Sequence, residues 1–281
     1  MRSVVITGVS TGIGWSAAKV LVGKGFRVFG SVRKAADAER LTNELGASFV
    51  PLTFDVTDEA AVLVAARQVR EAQSGERLAG LVNNAGIAVA GPALELPLDD
   101  YRRQLDINVM GPVIVTRAFA PLLGTEAGLK GSPGRIVMIS SGSGKNGNPL
   151  TAPYSMSKHA LEAFSESLRR ELMLFGIDVV IIGLGPVKTP IWDKARETDI
   201  TVYANSPYYT ALQTMRAYLL KLSETGLPVE RIGALVHHVL TVPRPKVRYA
   251  VSSEPAQQAM AGMLPKRVLD RIIARRIGLL P

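Results

Sequence analysis

Seven short runs of apolar and β-branched residues recur along the chain, at 3–7 (SVVIT), 27–32 (RVFGSV), 49–54 (FVPLTF), 78–83 (LAGLVN), 135–140 (RIVMIS), 178–183 (DVVIIG) and 247–251 (VRYAV). Between them, apolar positions return at the spacing of a helix with one buried face. A strand wetted on one side alternates apolar and polar positions. Near-continuous apolar runs therefore predict strands covered on both faces, as in a parallel sheet crossed by helices. The pattern predicts an α/β fold, a single doubly wound domain over residues 1–281 with a seven-stranded parallel sheet. No repeat, low-complexity tract or Pro/Ser linker divides it. The long departure from alternation at 186–245 is expected to be a helical insert that shapes a ligand crevice, and 246–281 to supply the last strand and a basic helix.

Composition narrows the chemistry. The 281 residues include no cysteine, which removes disulfides, thiolate metal sites and a cysteine nucleophile, and fits a reducing, cytoplasmic compartment. The net charge is +9. No zinc-finger spacing or aromatic RNA-binding signature accompanies it, so an anionic cofactor or a membrane surface accounts for the charge better than nucleic acid. The longest apolar run, 179–184, falls far short of the ~20 residues that span a bilayer, and no leader precedes the first strand, so a soluble chain is expected.

The stretch VVITGVSTGIGWSAAKVL (4–21) places Gly8, Gly12 and Gly14 where a strand gives way to a helix. Gly8 permits the tight turn after Thr7, while Gly12 and Gly14 let the backbone approach a pyrophosphate and let the helix pack on the sheet. That helix, starting near Ile13, aims its free N–H groups and positive dipole end at the phosphates, with Ser10 and Thr11 in the loop. The order is G-x-x-x-G-x-G, not the usual G-x-G-x-x-G, and a purely geometric glycine turn is the alternative. A second glycine-rich stretch, ISSGSGKNG (139–147), is no P-loop, because Ile139 and Asn146 occupy positions that need Gly and Ser/Thr.

The TGVSTGIG order resembles the short-chain dehydrogenase/reductase family. Its further motifs follow in register: NNAG (83–86), Asn108 in LDINVMG, Ser141 closing IVMISS, YSMSK (154–158) and GPVKT (185–189). The resemblance covers about residues 1–190 and extends more loosely to the end. It implies a Rossmann-type fold, a nicotinamide cofactor and hydride transfer between that cofactor and a carbonyl or alcohol substrate, with 1–185 as the cofactor and catalytic core and 186–245 as a substrate lid. The cofactor residues it implies include Asn83, Ala85 and Gly86, then Pro186, Val187 and Thr189, together with the adenine-binding pair Asp55 and Val56. An ordinary helix cap is the alternative use of Asp55, although Thr57 or Asp58 could serve instead.

At the tip of the second strand, SVRK puts Val32 where NAD-using relatives carry an acid, followed by Arg33 and Lys34. A cation there accommodates the 2′-phosphate of NADP. Arginine's planar fork suits phosphate better than lysine's point charge, with Ser31 as a hydroxyl partner. Thr11 stands where some NADP-using relatives have a further cation. NADP(H) is expected over NAD(H).

Tyr154 and Lys158 are four apart at the start of a helix introduced by Pro153, so both project from one face. A phenol titrates near 10, and lowering that by ~3 units takes ~4 kcal/mol of preference for phenolate. A cation at 4–5 Å and an effective dielectric of about 20 supplies roughly that amount. By resemblance Tyr154 is the acid/base, Lys158 tunes it and binds the ribose, Ser141 polarises the carbonyl, and Asn108 kinks its helix and positions a water of the proton relay. Taken singly, each has a bland alternative: a surface helix pair, a strand-end hydroxyl, a polar helix residue. His159, His237 and His238 are assigned no role, no cluster suggests a metal, and Ser143 lacks the hydrolase elbow.

Four of the seven tyrosines (Tyr203, Tyr208, Tyr209 and Tyr218) fall in the insert with Trp192 and Met215, as a lid over a bulky apolar substrate or as the insert's own core. The resemblance is strongest to the hydroxysteroid and retinol dehydrogenase branch. The tail LPKRVLDRIIARRIGLLP sets Val268, Leu269, Ile272 and Ile273 against Lys266, Arg267, Arg271, Arg275 and Arg276. Packing on its own domain is the expectation, with weak contact to an anionic membrane as the alternative. The family implies a homodimer or tetramer through helices around 100–124 and 154–175. A nucleotide-binding regulator that has lost turnover and an NAD-dependent dehydrogenase are the rival readings.

Overall fold

Each apolar run forms a strand. The computed structural model describes residues 1–191, 198–253 and 263–280. The strands are β1 (Ser3–Ile6), β2 (Arg27–Val32), β3 (Phe49–Thr53), β4 (Gly80–Asn83), β5 (Arg135–Ser141), β6 (Asp178–Leu184) and β7 (Arg248–Val251). They pair in the order β3-β2-β1-β4-β5-β6-β7, every pair parallel, as the sequence pattern predicts.

Successive strand residues face opposite ways, and the core divides accordingly. Val4 and Ile6 face one layer, with Ala17 and Leu21 of α1 (Gly12–Gly23), Leu41 of α2 (Ala35–Leu45) and Ile232, Val236 and Val239 of α8 (Val229–Thr241). Val5 faces the other, with Val62 and Val69 of α3 (Glu59–Gln73), Val115 and Phe119 of α5 (Gly111–Ala120) and Leu161 of α6 (Ala152–Glu171). The order reverses between β1 and β4, so the loops after these strands diverge and open a crevice at the carboxyl edge.

Helix α4 (Leu98–Leu105) continues through a π-helical turn (Asp106–Met110) into α5, and a second π turn (Pro121–Thr125) ends the run. The whole run, Leu98–Thr125, is the one among the described residues long and apolar enough to cross a membrane. Its apolar side chains Val115, Phe119, Leu122 and Leu123 are spent on the core of this domain. Linear runs do not show this helix, because polar residues of its exposed face interrupt them.

The region 186–245 is not all insert. Its last part, α8, is a layer helix packed on α1, where Ser16 Oγ donates to Val229 O at 3.0 Å. The excursion on the substrate side is therefore α7 (Tyr209–Thr225) and the turns before it. Tyr203 and Tyr208 pack with Leu150, Leu212 and Met215 into a small satellite core, the second of the two uses expected for them. Trp192 lies outside the described residues. The last helix, α9 (Lys266–Ile277), splits its four expected apolar residues: Leu269 and Ile273 are half-buried, whereas Val268 and Ile272 are exposed.

Candidate active site

The glycine loop is built by close approach. Gly8 (φ +69°) and Gly12 (φ +61°) occupy the left-handed region, which a side chain would strain. A Cβ on Gly14 would run into the Gly8 carbonyl and the Asn84 side chain. Asn84 Nδ2 donates to Thr7 O (2.8 Å) and Gly8 O (3.0 Å), and Thr7 Oγ1 accepts from the N–H groups of Asn84 (2.9 Å) and Ala85 (3.0 Å). The turns after β1 and β4 are thus held as one unit. Ser31 Oγ accepts from Gly8 N (3.0 Å), and Arg40 on α2 donates to Ser10 O (2.7 Å). The Thr11 side chain caps nothing, leaving the first N–H groups of α1 for a ligand anion.

A cleft runs along the carboxyl edge from this loop. Gly8, Ser10, Thr11, Gly12 and Ile13 form its floor, and Ser31 and Arg33 close one end with Asp55 and Val56. Ala85, Gly86, Val187 and Thr189 flank the middle, and Ser141, Tyr154 and Lys158 stand at the other end. The remaining expected residues lie elsewhere. Gly14 packs behind the loop. Lys34 is an exposed residue at the start of α2. Asn83 points into the core, its Nδ2 donating to Thr116 Oγ1 at 3.0 Å, and its neighbour Asn84 reaches the cleft instead. Pro186 offers its carbonyl to Leu227 N at 2.9 Å. Asn108, 1 % exposed, lies behind the wall.

The residues at the adenosine end fit a dinucleotide phosphate. Arg33 projects from the tip of β2, two-thirds exposed, with Nη1 3.7 Å from Asp55 Oδ2. Asp58, not Asp55, caps α3 by accepting from Ala61 N at 3.0 Å. Asp55 instead accepts from Thr57 N (3.0 Å) and Oγ1 (2.8 Å), which holds the turn against the cleft.

At the opposite end the side chains converge on Tyr154. Lys158 Nζ lies 5.8 Å from the Tyr154 ring centroid and donates to Ile139 O at 2.9 Å. Lys158 is 7 % exposed, and burial brings its ammonium down to about 8 against the opposing pull of Glu162. The phenol moves the other way. Burial pushes Tyr154 above its ordinary value, and a hydrogen bond with Ser141 offsets only part of this. Burial of the phenolate thus works against the lowering expected from Lys158, whose ammonium is bound to a backbone carbonyl. A phenol held in its neutral form is a proton donor.

This pair predicts a pH profile. Lys158 keeps its charge below about 8 and loses it above, while Tyr154 stays protonated across that interval. In the reduction direction, kcat/KM for the nicotinamide cofactor, which reports groups of the free enzyme, should be level at neutral pH and fall about tenfold per unit above pH ~8. A profile level to pH ~10 would show that the lysine charge plays no part.

Two polar groups of residues support this end, and the sequence did not mark most of their members. Asn108 sits in the π turn, with Nδ2 donating to Ile87 O (3.0 Å) and Ser157 Oγ (3.1 Å) and Oδ1 accepting from Ile87 N (2.9 Å). Ser157 Oγ donates to Tyr154 O at 2.8 Å, and Gln104 joins the same group through Ile87 O and Val89 N. Asn108 therefore ties the loop after β4 to the turn of α6 that carries Tyr154. The second group centres on Glu162, one turn beyond Lys158 and 2 % exposed. Its carboxylate accepts from Ser140 Oγ (2.9 Å) and from Arg248 Nη2 (3.0 Å) and Nε (3.2 Å), and pairs with Lys145 Nζ (3.1 Å). Burial pushes this carboxyl up, but those donors outweigh it and hold it below its ordinary value. Gly144 and Gly183 leave the room, since a Cβ on either would meet Glu162 or Arg248. Lys145, the lysine of the rejected P-loop match, belongs to this ion pair. The only sequence signal was the Lys158/Glu162 spacing of four.

The histidines lie outside this arrangement. His237 stands edge-on to Phe26 and His238 to Tyr249, both at 6.0 Å between centroids, and His159 Nδ1 bonds Ser155 O at 2.8 Å.

Comparison with known proteins follows the same lines. The family model described as short chain dehydrogenase matches residues 2–200. The chain is 37% identical over 273 residues to an NADPH-dependent 3-dehydrocapnine reductase of Ornithobacterium rhinotracheale, covering 97% of this chain and 96% of that one. It is 33% identical over 286 residues to human retinol dehydrogenase 5, covering 96% and 87%. A crystal structure of a short-chain dehydrogenase from Streptomyces avermitilis superposes with a TM-score of 0.76 at 24% identity, covering 98% and 94%.

Proposed function

The chain belongs to the short-chain dehydrogenase family, and from that premise we propose that it is an NADP(H)-preferring oxidoreductase that reduces a lipophilic ketone to a secondary alcohol. The observation that carries the reading is one cleft with Arg33 at one end and Ser141, Tyr154 and Lys158 at the other. The cofactor, when bound, supplies the hydride. Arg33 and Ser31 would hold its 2′-phosphate, the glycine loop and the start of α1 its pyrophosphate, Asp55 and Val56 its adenine, and Thr189 its amide end.

At the reacting end, Ser141 and the Tyr154 hydroxyl would both donate to the carbonyl oxygen as negative charge develops there. Tyr154 passes its proton to that oxygen. The resulting phenolate, costly in a half-buried site, would be stabilised by the adjacent Lys158 ammonium, which would also bind the ribose. Asn108 positions the Tyr154 turn through Ser157 and Ile87 and is the residue assigned to the water of the proton relay. In the reduction direction Tyr154, held in its neutral form, is the proton donor. A silent nucleotide-binding regulator would have no use for a buried lysine whose charge is costly to keep.

The lipophilic substrate class rests on less: Ile87, Ile107 and Ile191 line the cleft, and one relative is named for retinol. A cytoplasmic homo-oligomer, paired through α4–α5 and α6 as in the family, completes the proposal. Exposed Met110 and Met156 on those helices are consistent with such a contact.

The direct test follows NADPH and NADH oxidation separately against ketosteroids, retinal and small aryl ketones. Faster turnover of the apolar ketones with NADPH is expected, and turnover with none of them would overturn the reading. Arg33→Ala should raise KM for NADPH about 10- to 100-fold, the loss of a charge-assisted hydrogen bond, and leave KM for NADH nearly unchanged. Equal losses with both cofactors would remove Arg33 from phosphate selection.

A further inference from the structure

Helix α9 carries more apolar surface than the domain covers. Ile277 is buried in the satellite core with Leu279 packed against it, Arg276 stacks on the Tyr218 ring at 4.9 Å, and Leu269 and Ile273 are half-buried. The opposite face holds Val268 (42 % exposed) and Ile272 (50 % exposed), one turn apart, and the chain just before the helix exposes Met263 (85 %) and Leu264. Arg267, Arg271 and Arg275 flank that apolar pair, and all are exposed along with Lys266. Each of these four cations lacks a carboxylate at ion-pair distance among the described residues. Asp270 is the single acid of the helix.

The core that seats the end of α9 reaches back toward the catalytic helix. The satellite core that seats α9 includes Leu150, four residues before Tyr154, whose carbonyl accepts from Gly91 N at 2.8 Å.

We propose that the outward face of α9 docks on an anionic lipid surface, with Val268, Ile272, Met263 and Leu264 entering the headgroup boundary and the surrounding arginines and Lys266 meeting lipid phosphates. Apolar side chains interleaved with cations that pair with no described carboxylate, on one helix face, are what such a boundary selects. A second copy of the chain is a poor occupant, because a twofold contact would set the same cations against each other. Nucleic acid is a poor one too, since the face presents no aromatic platform for bases. Delivery of a lipophilic substrate from the bilayer rests on the function proposed above, but the docking itself does not.

Co-sedimentation of the full chain with phosphatidylcholine vesicles, with and without phosphatidylglycerol, tests this. Binding should be at least about tenfold stronger on the anionic vesicles and fall with salt. Val268→Glu/Ile272→Glu and, separately, Arg271→Gln/Arg275→Gln should each lose most of it while turnover of a water-soluble aryl ketone stays at the parent level. Equal partition onto both vesicle types, or binding untouched by both double variants, would overturn the proposal. Tighter retention on duplex DNA than on anionic vesicles at matched phosphate would also overturn it, in favour of nucleic acid. Vesicle binding without any ketone turnover would leave the docking standing and refute the assigned activity.

Discussion

Tyr154→Phe is expected to lower kcat for NADPH-dependent ketone reduction by about 10²–10⁴-fold, the range for loss of a positioned general acid. The substitution removes one oxygen and keeps the ring, so the packing around Ser141 and Lys158 is preserved. Affinity for NADPH, read by fluorescence of the bound nicotinamide, should stay within about twofold, because the lost group acts on the substrate oxygen and not on the cofactor phosphates. The pattern matters as much as the size: kcat falls and cofactor affinity does not. A Phe variant as active as the parent would return the chain to a binding role. So would an equal fall in NADPH affinity with kcat preserved.

The second large effect concerns Glu162, which touches no ligand. Glu162→Gln keeps the shape but leaves Arg248 and Lys145 facing a neutral amide in a buried site. Breaking a buried ion pair on one side costs about 3–5 kcal/mol, and the quarter exposure of Arg248 reduces this to about 2–4. Chemical denaturation at neutral pH measures it. The pH dependence has a fixed sign. The folded carboxyl is held below its ordinary value, so its contribution is complete above the unfolded value of about 4 and is lost as pH falls through the lower folded one. The Gln variant should therefore differ from the parent at neutral pH and converge with it in acid. It should also begin its alkaline fall in rate at lower pH than the parent, because Glu162 is the charge that supports the Lys158 ammonium. A structural role alone would lower stability without moving that break. Replacing the pair by apolar residues, Glu162→Leu/Arg248→Met, should recover most of the stability but not the pH profile.

Residues acting over short spans were legible before folding was considered. The seven strands declared themselves because a parallel sheet buried on both faces needs unbroken apolar runs, and the runs map onto the observed strands within a residue or two. The glycine loop was legible because φ near +60° at Gly8 and Gly12 strains other residues and the contact behind Gly14 leaves no room for a Cβ. Tyr154 and Lys158 could be placed side by side because a spacing of four fixes a common helix face. The choice between Asn83 and Asn84 could not be made that way. Adjacent residues at a strand end face opposite sides, and which of them meets the cleft depends on how β4 sits beside β1.

What the sequence determined by itself, then, is whatever depends on local spacing: the order and kind of elements, the glycine turn after β1, the cation at the tip of β2 and the Tyr–Lys pair. What only the tertiary structure decided depends on groups far apart in the chain and on burial. The Arg248–Glu162 pair joins residues 86 apart, Tyr203 and Tyr208 turn into the insert's own core, and α8 packs on the sheet layer with α1. The direction in which Tyr154 moves belongs here too. Spacing tells how near a charge stands, but the cost of ionising a phenol is set by how much water the whole fold has removed from around it.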